Sequence, residues 1–135
     1  MGTLGGLVTE RHDERRVVDL KKGGLLGVTD LARVAAVRGG VASSSTRERL
    51  HDSVAVGALE LDEARALEEA FETFMEIRMD RQVECVRRGD AVDSLVEPAA
   101  MDPVNRSRLR QAFRVVDVAQ ARLRGAFAGG RFASI

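Results

Sequence analysis

Residues 63–88 read EARALEEAFETFMEIRMDRQVECVRR, the longest helical pattern in the chain, and the fold follows from it. Leu67, Phe71, Phe74, Arg78 and Gln82 recur at steps of three and four, flanked by Ala64, Ala70, Met75, Ile77 and Met79, which makes one stripe of an amphipathic helix. Asp62 precedes the pattern at a capping position and Gly89 closes it. At 1.5 Å per residue the helix is about 39 Å long, so it needs a partner of similar length. That partner follows a loop from Asp90 to Ala100 that carries Pro98. Asp102-Pro103 is a cap followed by proline at the first helical position, where its missing N–H costs nothing. From there to about Phe127, Leu109, Phe113, Val116, Gln120 and Leu123 keep a second stripe, ended by Gly129-Gly130. Two such helices joined by a short loop pack antiparallel.

Upstream, Thr29 is the expected cap of a first helix reaching about Arg38, with Leu31, Val34 and Ala35 at helical spacing and Gly39-Gly40 as its stop. Ser45-Thr46-Arg47-Glu48 spells a capping box for a second helix that should end at Gly57. Val17, Val18 and Leu20 around Asp19 predict a short extended segment that has to pair with a neighbour. Residues 1–16, Gly-rich and then highly charged, show no period and read as an arm or linker; residues 17–128 form the domain and 129–135 a tail. The expected fold is all-α: an up-and-down bundle of four main helices, two of them long and antiparallel, with a short extended N-terminal segment.

Composition narrows the function. The 135 residues hold 21 basic and 21 acidic side chains, no Trp, no Tyr and five Phe. A nucleic-acid partner, which would call for a basic excess and stacking aromatics, is therefore not expected. One Cys excludes an internal disulfide and a zinc thiolate cluster, and fits a reducing cytosol. Cys85 reads as a small semi-buried apolar residue, and His12 and His51 stand without metal-ligand spacing. No apolar run approaches the roughly 20 residues of a membrane span, and no secretory signal opens the sequence, so a cytoplasmic location is expected. Gly6 stands where a myristoylation motif needs Ser or Thr. Glu60-Leu61-Asp62 is a poor match to the paired carboxylates of nucleotidyl transfer, Asp90 and Asp93 read as a solvated acidic loop, and Ser43-Ser44-Ser45 has no neighbouring base. No catalytic residue and no metal site is expected within the chain.

Two features point toward ligands. Val18–Arg33, VDLKKGGLLGVTDLAR, sets Asp19, Lys21 and Lys22 and a Gly23-Gly24 turn directly before a helical pattern, an arrangement that can hold an anion through helix N–H groups and lysine charge. It equally reads as a tight turn with solvated lysines. Arg78 and Gln82, polar on an apolar stripe and four apart, either tie the bundle to a loop or meet a ligand. Arg33 and Arg38 could join that network or add positive charge near Lys21.

The order of these motifs resembles the nucleotidyltransferase substrate-binding domain family. Val18-Asp19-Leu20-Lys21-Lys22-Gly23-Gly24-Leu25 and Thr29-Asp30-Leu31-Ala32-Arg33 look like its opening. Thr46-x-x-Arg49-Leu50, Gly57-Ala58-Leu59, Ala70-Phe71, Ile77-Arg78-Met79 with Gln82, Asp93, Pro98, Arg106, Leu109, Ala112-Phe113 and Gln120 continue it. The resemblance implies the helical module found in bacterial signalling proteins, where cyclic-nucleotide-binding or CBS domains precede a nucleotidyltransferase core, with a related signature in PII uridylyltransferase and glutamine synthetase adenylyltransferase. It further implies a non-catalytic domain that positions a nucleotide or acceptor substrate, small or protein, against a core supplied separately, with Mg2+ and a nucleoside triphosphate at that core. Asp19, Lys21, Gly23 and Gly24 would face the active site. Asp93-Ser94 departs from an Asp-Asn pair common in the family. A helical module that only docks partners or dimerises is the alternative, and homo-oligomerisation stays open.

Overall fold

The computed structural model describes residues 2–4, 7–12 and 15–128. β1 (Gly2–Leu4), β2 (Leu7–His12) and β3 (Arg15–Asp19) form an antiparallel meander, with Leu4 opposite Leu7 and Glu10 opposite Val17. β3 pairs on its other edge with β4 (Leu95–Val96), placing Val18 opposite Val96 and Asp19 opposite Leu95. The extended segment around Asp19 thus has the neighbours it needs. The arm expected over residues 1–16 is strand over its described part; Met1, Gly5, Gly6, Asp13 and Glu14 lie outside the described residues. Leu7 and Thr9, two apart on β2, are both buried, so one face of the strand is anchored although its charge pattern hides it.

From β3 the chain enters helix at once. Asp19 Oδ1 accepts the N–H of Lys21 at 2.9 Å and of Lys22 at 3.1 Å, capping a π-helical turn, Leu20–Leu25, that runs unbroken into α1 (Leu26–Gly39). Two expectations are corrected here. Thr29 is not a cap but lies inside α1, its Oγ1 3.5 Å from that of Thr46, because Asp19 has already started the helix. Gly23-Gly24 is not a turn either, since positive φ among the described residues falls at Gly40, Gly57 and Gly89.

The other helices follow local signals more closely. Ser45 Oγ accepts the Glu48 N–H at 3.1 Å and starts α2 (Thr46–Ala55), with Gly57 left-handed just beyond its end. α3 (Leu61–Arg88) begins after Glu60 with no side-chain cap; Asp62, the expected cap, sits in the first turn with Glu63, where carboxylates favour the helix dipole. Gly89, at φ 72°, ends it. The expected loop contains β4 and a 3-10 turn, Pro98–Ala100, and Arg106 donates from Nε to the Pro98 carbonyl at 2.8 Å to fasten that turn. Asp102 Oδ1 accepts the Asn105 N–H at 2.9 Å and opens α4 (Pro103–Ala128); Gly129-Gly130 and the expected tail lie outside the described residues.

α3 and α4 form the antiparallel hairpin that their lengths demand. Arg122 reaches Glu63 at 2.5 Å and Arg108 reaches Glu76 at 2.7 Å, so the contacts step in opposite directions along the two helices. Phe74 and Phe113 meet edge to face across the seam, ring centres 4.9 Å apart. The fold is all-α in class, four helices among the described residues with a small sheet beside them, and its core joins Leu20 and Val28 to Leu50, Leu67, Leu109 and Val116.

The π-helical turn can approach the hairpin closely because glycines stand where it meets the two phenylalanine rings. A Cβ on Gly24 would stand 2.8 Å from the Phe74 ring, and one on Gly23 3.2 Å from that of Phe113. Gly24→Ala is therefore expected to lower unfolding free energy by about 1–3 kcal/mol through overpacking. Gly125→Ala, where a Cβ meets nothing within 4 Å, should leave it unchanged or raised by helix propensity, as urea titration would show. The Asn105 N–H holds the Asp102 carboxyl below its ordinary 3.8. A depressed folded value stabilises the fold above the unfolded value and is lost as pH falls through the folded one. The stability gap between the wild type and Asp102→Ala should thus be present at neutral pH and shrink as the pH falls below the ordinary value of 3.8.

Candidate functional site

The end of β3, the π-helical turn, the C-terminal half of α3 and the segment leading into β4 enclose an open cleft of about 480 Å³. Asp19, Lys21, Lys22, Arg78 and Gln82, candidates from the sequence for meeting a ligand, all line it. They converge because Asp19 starts a helix that crosses α3 at Phe74, one turn from Arg78.

The polar groups of the cleft divide into those already engaged and those not. The Asp19 carboxylate occupies the first N–H groups of the π-helical turn, so those donors are closed to an incoming anion. Arg78 donates from Nε to Ser94 Oγ at 2.8 Å, and the Ser94 carbonyl accepts the Leu20 N–H at 2.9 Å. Ser94 therefore carries a polar role of its own. Asp93 takes Arg81 in a two-pronged contact, 2.9 Å from Nε and 3.2 Å from Nη2, and also accepts the Leu95 N–H at 3.1 Å. That pairing raises the Arg81 pKa above its ordinary value and binds a carboxylate read from the sequence as solvated. By contrast, among the described residues the ammonium groups of Lys21 and Lys22 make no ion pair and the Gln82 amide makes no hydrogen bond. Both lysines are exposed, while Arg78 and Gln82 are half-buried. Glu10 on β2 adds a carboxylate to the rim, and Val92 and Leu95 add apolar surface.

The remaining expected residues lie elsewhere. Gly23 and Gly24 serve packing on Phe113 and Phe74. Arg33 is exposed and pairs with Asp30 at 3.0 Å, and Arg38 lines a separate pocket between α1 and the hairpin. Arg81, Ser94 and Glu10 were not legible in the sequence; Arg81 stands one turn beyond Arg78, but its partner Asp93 follows only after a loop.

Away from the cleft, Ser43 Oγ contacts Asp52 Oδ2, and His51 Nδ1 lies 3.3 Å from Asp52 Oδ1. The Ser43 hydroxyl bond, and after it His51, hold the Asp52 carboxyl below the usual range. The imidazole reaches the carboxylate rather than the hydroxyl, so the three do not line up as a serine–histidine–carboxylate relay. With Arg49 Nε donating to the Ser43 carbonyl at 2.9 Å, the group ties the loop to α2. Among the described residues no three His, Cys, Asp or Glu side chains gather where a metal ion could be held, and no helix is long and apolar enough to cross a membrane.

The Arg81–Asp93 pair fastens one wall of the cleft. Arg81→Ala should speed hydrogen exchange at the Leu95 and Leu20 amides while lowering global stability by only about 1 kcal/mol, since a partly exposed pair is screened by solvent.

A family model described as "Putative nucleotidyltransferase substrate binding domain" matches residues 1–127. No curated protein and no solved structure matches the chain.

Proposed function

Because the chain belongs to the nucleotidyltransferase substrate-binding domain family over residues 1–127, we propose that it is a non-catalytic module presenting a nucleotide or an acidic acceptor to a separate nucleotidyltransferase core through the cleft beside Lys21 and Lys22. The observation that carries this reading is the pair of unengaged lysine ammoniums beside the half-buried Arg78 and Gln82 in one cleft. Cations held near a phosphate or carboxylate position it by charge, and an amide with open donor and acceptor can add selectivity. With the helix N–H groups occupied by Asp19, the lysines rather than the backbone supply the attraction. Mg2+ and the triphosphate chemistry belong, in this reading, to the core.

Titration of the chain with ATP and UTP, with and without magnesium, tests the proposal by amide shifts. Localised shifts over Asp19 to Leu31 that Lys21→Ala with Lys22→Ala weakens by about tenfold are expected from two charge-assisted contacts. Shifts absent from this stretch, or unchanged in the double variant, would remove the ligand role.

A further inference from the structure

The C-terminal half of α3 carries an apolar stripe that nothing in the described fold covers. Met75, Met79, Val83 and Val86 lie on one face at steps of four, four and three, and are 37%, 57%, 51% and 68% exposed. The cause is a mismatch of lengths. α2 flanks this side of α3 as far as Glu72, where Arg47 reaches it at 3.6 Å, and α2 has only 10 residues against the 28 of α3. Beyond that point the face is bare. Exposed apolar side chains are ordinary when scattered, but four on consecutive turns of one face form a seam.

We propose that this stripe is the contact between two copies of the chain, packed α3 against α3 in antiparallel sense about a two-fold axis. The seam is complementary to itself. Antiparallel pairing sets Met75 opposite Val86 of the second copy and Met79 opposite its Val83, both about one crossing point near Arg81. The same crossing point sets Glu76 opposite Arg87, to within about one residue of helix rise. Those two side chains lie about 60° and 80° round the helix from Met79, on the same edge of the stripe, so each flanks the seam and faces the other across it. The symmetry makes each pairing occur twice. Parallel pairing would set the Glu76–Arg87 edge of one copy against the opposite edge of the other, so that both ion pairs would be lost. In this chain Glu76 contacts Arg108 and Arg87 contacts Glu84, all through exposed side chains whose re-pairing costs little. Met at two of the four positions suits a seam that has to adapt to its own image. The contact covers about three turns of helix, so association is expected to be weak and concentration-dependent.

Gln82 stands about 60° from Met79 on the opposite edge to Glu76. The pairing therefore places both clefts along one side of the two α3 helices, beside the contact and not under it.

Sedimentation velocity of the full chain over rising concentration tests the inference. The wild type should shift from monomer to dimer, and Met79→Glu or Val83→Glu should raise the dissociation constant by about tenfold or more. Their melting curves should stay unchanged, as both positions are exposed. Val118→Glu, exposed on α4, should leave association unaffected. Glu76→Arg should weaken the dimer, and adding Arg87→Glu should restore it. A chain that stays monomeric throughout, or a dimer whose affinity ignores Met79→Glu and Val83→Glu, would overturn the proposal.

Discussion

The contact of Gly24 with the fully buried ring of Phe74 governs the arrangement of this molecule. It sets how closely the π-helical turn approaches the α3–α4 hairpin, since any side chain at Gly24 would enter the ring. Phe74 is itself fixed by the edge-to-face contact with Phe113, so the turn rests on the most rigid part of the seam. The lysines on that turn, with Asp19 before them, are thus placed over the polar segment of α3 by packing and not by any bond of their own.

Asp19 completes the arrangement from the other side. It ends the last long strand of the meander and begins the helix, and its carboxylate takes the two N–H groups that a helix start would otherwise offer to a ligand. A negative group is thereby built into the cleft floor. Asp93 brings a second, and Arg81 neutralises it. What remains for a ligand is a rim carrying Lys21 and Lys22 with the Glu10 carboxylate beside them, above a floor in which Arg81 pairs Asp93 and backbone N–H groups hold Asp19, with Gln82 and part of the Arg78 guanidinium at its edge. Such a surface attracts phosphate or carboxylate weakly and without the tight cradle of a phosphate-binding loop. That suits the proposed role of a module presenting a substrate to a nucleotidyltransferase core.

The helices were legible in the sequence where their signals are local. Ser45 with Glu48, Asp102 with Pro103, and Gly89 each act within a few residues, and the stripes of α3 and α4 state their own period. The convergence of Arg78 and Gln82 on one side of α3 could be read for the same reason. The sheet could not, because its stabilising partners are distant: Val18 pairs with Val96, and Leu7 is buried beneath a strand of mostly polar residues. Nor could the work of Gly23 and Gly24, which looks like a turn until Phe113 and Phe74 are brought beneath them. Thr29 misleads as a cap because Asp19, ten residues earlier, starts the helix first. Arg81 and Asp93 are separated by a helix end and a loop, and only the fold pairs them.

If packing at Phe74 positions the cleft, and the cleft holds the ligand, a change that removes no charge should still weaken binding. The direct measurement is the ATP affinity of Gly24→Ala under conditions where its helical content matches the wild type. Affinity should fall as far as it does when both lysines are removed, although every cation is present. Wild-type affinity in this variant would contradict the link between the glycine seat and the site.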